Sequence, residues 1–386
     1  AVMAGHTPAW AVNTIADSTL GIVGSILAIL GVVAAPITSG DTAYKVTELS
    51  AKAFAGKPIR AIILSDFIDE IPTGAFKNCT ELEEISGSFT VIGDEAFSGC
   101  TSLEGFRVSS YTTEIGTDAF LNVPSIVVHA LNENQSMELA KNNLGEDADA
   151  EELQKEAQYL TNRVANEAVA SGAKQMTVDL NGTIAGAVFT FEVGPMSSFE
   201  LLGNKNVVYK DLRIKSDAAT TVLKNLTIDE CTRIPLEISS EKLVMEVVKV
   251  TSTGYALLLS GEAPTITLIR DNSLKSAQNA VVCKCPTITS EIIQQAVGTL
   301  AVSGNVYVYG TDDQIRSLRN SAYLSVKNGQ IIPISYDEYS QYIKGSFTIN
   351  FDANGGTVNV LTKTAFCGSP VGELPVPARE GFDFVG

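Results

Sequence analysis

The chain has 386 residues, room for two or three domains that each bury a core. Aromatic residues make up only 7% of it and glycines number 31, which suits short strands and solenoids better than a large globular enzyme. A net charge of −17 argues against nucleic acid, whose phosphates need clustered Lys and Arg, and against an anionic membrane surface.

At the start, Ala9 and Ala11 flank Trp10 in an A-x-A pattern, which reads as the tail of a secretory signal peptide over residues 1–11 cut after Ala11. An accidental Ala-rich terminus is the alternative. The apolar run 20–36 carries Gly21, Gly24 and Gly31 and lacks basic flanks, the first Lys or Arg being Lys45. Residues 12–40 are therefore expected to form short capping strands for the repeats that follow, not a membrane helix or a leftover targeting segment. No membrane insertion is expected.

Residues 41–130 are an internal repeat. Ala-Phe recurs at Phe54, Phe76, Phe97 and Phe120, an interval of about 22 residues that falls in the range of leucine-rich repeats. Branched residues precede each Phe by five positions (Leu49, Ile71, Ile92, Ile115), and others follow it by six (Leu82, Leu103, Ile126), with Ile59 after a one-residue deletion in the first copy. Cys79 and Cys100 stand three residues after their Phe. Phase-locked apolar positions at this period mean a leucine-rich-repeat solenoid with these side chains as its core. Candidate short strands at 61–64, 82–86 and 106–109 would stack into a parallel sheet exposing Ile63, Glu84 and Arg107, the candidate ligand-binding residues.

The run Ile92-Gly93-Asp94-Glu95-Ala96-Phe97-Ser98-Gly99-Cys100-Thr101-Ser102-Leu103 resembles the BspA-like class of leucine-rich repeats. The resemblance covers less than a quarter of the chain. It implies a secreted or cell-surface recognition protein, often an adhesin, without naming the ligand.

From 131 to 175 the period becomes helical, with Leu153, Ala157, Leu160, Val164 and Ala168 at three- and four-residue steps. This segment reads as an end cap and connector, its acids near a helix start. Residues 176–310 read as strand after strand, separated by Gly, Asn, Asp and Ser. Segments such as 223–228 and 256–261 resemble rungs of right-handed parallel β-helices of carbohydrate-associated surface proteins. The rung spacing looks irregular, and a β-sandwich fits strands at such intervals too. Residues 311–344 read as a helix start at Asp312-Asp313, a tight hairpin across Asn328-Gly329, and a Tyr-rich linker over 335–344.

Residues 345–386 carry Phe347-Thr-Ile-Asn-Phe-Asp-Ala-Asn-Gly-Gly-Thr357 with a strand returning to Leu361, then Leu374-Pro-Val-Pro377 and Arg379-Glu-Gly-Phe382. This resembles the internalin B-repeat family, which implies a small β-grasp module of bacterial surface proteins. Phe382 replaces the family's usual Tyr, and the chain stops one residue before its expected Trp. The fold class is thus multidomain and β-rich: repeat solenoid, helical connector, parallel β-helix-like or sandwich centre, and an incomplete β-grasp repeat.

Chemistry is sparse. The six cysteines (Cys79, Cys100, Cys231, Cys283, Cys285, Cys367) form no metal set, Cys283 and Cys285 being closer than C-x-x-C and on one face of a strand. An even count suits disulfides in an exported protein. However, the equivalent places of Cys79 and Cys100 suit buried free thiols that donate to a loop carbonyl. His6 and His129 have no evident partner, so a Ser-His-Asp or Cys-His pair is nearly excluded. Phosphate-binding, dinucleotide, zinc and Ca²⁺ motifs are absent, and no cofactor is expected. Asp312-Asp313 with Arg316, or Asp271 with Arg270, are the only candidates for carboxylate catalysis. Partners are expected to be an extracellular protein or glycan, with no nucleic acid. An adhesin acting through the repeats is the first reading. A carbohydrate-binding central domain offering Tyr209, Tyr255, Tyr307 and Tyr309, a structural stalk, or an accessory arm of an extracellular enzyme are the others.

Overall fold

In the computed structural model, the described residues are 32–33, 37–39, 42–44 and 48–343 (apart from 65–66, 146, 184–187, 232–233 and 295), with 346–351, 357–358, 362–366 and 374–378 beyond. The expected signal-peptide tail, and most of the apolar run 20–36, lie outside them. Val32–Val33 is a strand that pairs in parallel with Ala61–Ile63, which in turn pairs with Glu84–Ser86.

Each repeat is one coil. Phe54, Phe76, Phe97 and Phe120 stack ring on ring at centroid distances of 5.2, 5.4 and 5.5 Å and interplanar angles of 8° or less. Leu49 and Phe54 pack against the core from its upper end, and the other expected core residues are buried within it. Two backbone positions per coil are left-handed. Lys52, Gly74, Glu95 and Asp118 lie two before the Phe, and Gly56, Asn78, Gly99 and Asn122 two after it, with φ between 52° and 79°. These bends aim successive N–H groups down the solenoid, so that Phe76 N–H donates to Ala96 O and Asn78 N–H to Ser98 O. The turns thereby pair with one another although they are not strands.

The repeat sheet continues into the central region. Ile126–His129 pairs in parallel with Phe106–Val108 on one side and Gln175–Asp179 on the other. Between those two coils runs a helix pair, α1 (Glu133–Leu144) and α2 (Ala150–Val169), each opened by a capping box, Asn132 with Gln135 and Asp149 with Glu152. The apolar stripe of α2 buries Ala157, Leu160, Val164 and Ala168. Its end replaces a repeat turn: Phe120 N–H donates to Ser171 O and Asn122 N–H to Gly172 O. Its flank covers the edge of the small sheet 70–71, 91–92 and 114–115, where Glu167 Oε2 accepts from Ile115 N–H at 2.9 Å and Arg163 donates to Thr113 O at 3.1 Å.

Beyond Gln175 the same sheet, here sheet A, adds strands at 198–202, 220–224, 242–246, 265–269 and 287–291, all parallel. Their starting positions keep the interval of the repeats, so the coil spacing is regular where the sequence looked irregular. Two further columns close each coil. Sheet B stacks Val208–Lys210, 226–228, 248–252, 271–276, 299–303 and Leu324–Lys327. Sheet C stacks Thr190–Val193, Arg213–Ser216, Leu236–Ile238, Leu257–Leu259, 281–283, 306–308 and Ile331–Pro333. The centre is therefore β-helix-like with three faces. A sandwich would need antiparallel strands, and among the described pairs of 175–333 these occur only in a small hairpin at 292–297.

Three expectations for the C-terminal part are corrected. Asn328-Gly329 is no hairpin: strands Leu324–Lys327 and Ile331–Pro333 each pair in parallel with the coil beneath, at 300–303 and 306–308. Asn328 takes φ 54° at the corner, and a Cβ on Gly329 would lie 2.3 Å from Gly304 C and O. Residues 335–344 are no linker. Helix α4 (Tyr336–Ile343; α3 is Asp312–Arg319, capped by Thr311) buries Tyr339 against Ile234, Leu258 and Val282 on the outside of sheet C. The strand returning to Ser346–Asn350 is Thr362–Phe366 rather than one ending at Leu361.

Candidate functional site

Sheet A turns every second side chain outward, and parallel pairing lines those residues up across the coils. The central outward row runs Arg107, Val127, Thr177, Glu200, Val222, Val244, Thr267, Thr289. Its charges are largely tied down on the surface. Lys224 meets Glu200 at 2.7 Å, Arg270 meets Glu246 at 3.7 Å, and His129 Nδ1 lies 3.2 Å from Asp179 Oδ2 on the next strand. That last contact supplies the partner for His129 that the sequence did not reveal, because the whole helix pair separates the two residues along the chain.

Of the residues expected on the exposed repeat face, Ile63, Glu84 and Arg107 are all exposed. They do not form one cluster: Ile63 stands opposite Ser86, whereas Glu84 stands opposite Ala61 at the other end of the strand. Ile63, Ser86 and Arg107 follow one another at the repeat interval and so belong to one row. Sequence reasoning missed Phe67 and Tyr111, which are 53% and 63% exposed. Each lies four positions past its strand's row residue, Ile63 or Arg107, and they stand two repeat periods apart. In the coil between them the ladder register places Ser88 at the equivalent position, and Phe89 beside it is buried level with Ile68 and Thr112. That two-period recurrence of an aromatic was the available signal. Exposed rings in the turns that follow a row of short strands bearing an arginine are the chemistry of a protein-docking edge.

The cysteines take no part in this surface. Cys79 Sγ donates to Phe54 O at 2.9 Å and Cys100 Sγ to Phe76 O at 3.0 Å, and burial pushes their pKa values up to about 11 and about 12. Cys79, Cys100, Cys283 and Cys285 are free thiols, and Cys231 Sγ donates to Asp211 Oδ1 at 3.3 Å. Among the described residues no His, Cys, Asp and Glu group is arranged to hold a metal ion, and no helix is long and apolar enough to cross a membrane. The carboxylates considered for catalysis are engaged structurally: Asp313 with Arg316 at 3.0 Å on α3, and Asp271 with the Thr299 hydroxyl at 2.8 Å. Tyr209 is buried, with its hydroxyl accepting from Asn204 N–H. Tyr255 packs against Tyr307 and Tyr342, and Tyr309 against Tyr336 and Tyr339, around α4. They therefore offer no open stacking platform for sugars.

Residues 36–134 match the family model described as BspA type leucine rich repeat region, in six copies, two more than the Ala-Phe dipeptides mark. A solved leucine-rich repeat protein from Bacteroides ovatus aligns over 79% of this chain and 92% of its own, at 15% identity and a TM-score of 0.26. No curated protein matches the chain.

Proposed function

We propose that this chain is a secreted bacterial surface protein that binds an extracellular protein through the exposed face of its leucine-rich repeats, an adhesin without turnover of substrate. The observation that carries the reading is the pair Phe67 and Tyr111, exposed at equivalent positions of alternate coils beside Ile63 and Arg107. The BspA-type match over 36–134 supports a surface-type recognition role. A preformed sheet lowers the entropic cost of docking, and the short repeat region forms a small patch, so useful affinity comes from many copies displayed together. In this reading residues 1–11 are the end of an export signal. The antiparallel pair Ser346–Asn350 and Thr362–Phe366 then belongs to a terminal spacer module of the internalin B-repeat kind.

The test presents the full chain to immobilised extracellular-matrix proteins and to a glycan array. The expected result is binding to a matrix protein that falls about tenfold or more in the double variant Phe67→Ala, Tyr111→Ala, with unchanged melting. Binding to neutral glycans alone, or protein binding indifferent to both rings, would overturn it.

A further inference from the structure

Sheet B differs from its neighbours in charge. Its outward rows read Val208, Thr227, Lys249, Ser273, Ala301, Ser325 and, one step along, Lys210, Asp229, Thr251, Lys275, Ser303, Lys327. Lys249, Lys275 and Lys327 are exposed, and none meets a carboxylate at salt-bridge distance among the described residues. On sheets A and C some cations are held by carboxylates, Lys224 by Glu200 and Arg213 by Glu237 at 2.6 Å, while Lys242 and Lys215 are exposed. The acids on sheet B are Asp229, opposite Lys210 across the ladder, and Asp271, bonded to Thr299. The face is net positive on a molecule of net charge −17.

We infer that sheet B is a docking face for an anionic polysaccharide. Strand spacing puts Lys275 and Lys327, with Ser303 between them, about 10 Å apart. Lys249 sits on the diagonal from Lys275 at about 8 Å. Such a row fits a linear polymer whose acid groups recur every few ångströms to a nanometre, and Thr227, Thr251, Ser273, Ser303 and Ser325 offer hydroxyls to its sugars. No aromatic side chain points outward from these rows, which disfavours neutral sugars, held by stacking, and single-stranded nucleic acid, held by base stacking. The acidic remainder of the molecule does not cancel the face, because at physiological salt exposed charges more than about 8 Å away are screened.

The experiment measures binding of the full chain to heparin, polygalacturonate, dextran and a single-stranded oligodeoxynucleotide over a range of salt. The expected result is binding to one or both acidic polysaccharides that weakens with salt, none to dextran, and little to the oligonucleotide. The variant Lys249→Gln, Lys275→Gln, Lys327→Gln should weaken it about tenfold while melting like the wild type. Lys242→Gln on sheet A should leave it unchanged. No binding to either acidic polysaccharide, full binding by the triple variant, or tighter binding to the oligonucleotide would each overturn the inference. Loss of matrix-protein binding in the Phe67 and Tyr111 variant bears only on the repeat surface and leaves this result untouched.

Discussion

At the residue scale, the repeat is held by one ring per coil and, in the coils of Phe76 and Phe97, by a thiol beside it. Phe97 is fully buried between the rings of Phe76 and Phe120. Phe97→Ala leaves a cavity that stacked neighbours cannot collapse into, and should cost about 3–5 kcal/mol in chemical denaturation. The thiols give a pH signature. Their folded pKa values of about 11 and about 12 lie above the ordinary thiol value of 9.0, burial being the main cause. Below the unfolded pKa both states are protonated and the stabilisation is fully present. It is lost as pH rises from about 9 through the folded values, because only the unfolded chain ionises freely. Melting temperature should therefore fall over that alkaline window, and less steeply in Cys79→Ala, Cys100→Ala than in the parent. These core positions were legible because Phe, Ile and Cys recur in phase. The left-handed bends two residues before the Phe were not, since Lys52 and Glu95 are unusual residues for that conformation.

At the element scale, α2 splices the repeats to the β-helix-like coils. Glu167→Ala removes the acceptor for Ile115 N–H, leaving that edge amide open, and should cost about 1–2 kcal/mol. Hydrogen exchange at Ile115 should quicken, and an unchanged rate would show that α2 does not protect that edge. The helix was readable from its helical stripe, yet its place in the coil was not, because the bonds that dock it join residues far apart in the chain. The corner at Asn328-Gly329 shows the opposite failure. Asn-Gly is a strong local hairpin signal, but each flanking strand satisfies its backbone on the coil beneath, and tertiary pairing overrides the turn. Gly329→Ala should destabilise by about 1–3 kcal/mol, since the added methyl meets the backbone of Gly304. Helix α4 was mistaken for a linker because it is rich in tyrosine, with Tyr336, Tyr339 and Tyr342, and the apolar surface they seek lies outside the coil.

At the scale of the whole molecule, sheet A carries the last two repeat strands, Phe106–Val108 and Ile126–His129, into the three-faced coils, and beyond Gln175 its strands keep the interval of the repeats. The sequence showed that period only over the repeats. Farther on, long strands such as Thr220–Cys231 and Lys242–Ser252 bend around a corner without a Gly or Pro to mark it. The consequence is mechanical: damage at one coil should pass to its neighbours on both sides, as in any solenoid with nearest-neighbour coupling. Hydrogen exchange of the Phe97→Ala variant, read strand by strand along sheet A, measures this directly. Loss of protection should extend through Phe106–Val108 and Ile126–His129 into Gln175–Asp179 and Ser198–Leu202, fading with distance. Loss that stops at His129, with full protection from Gln175 onward, would contradict a single continuous solenoid.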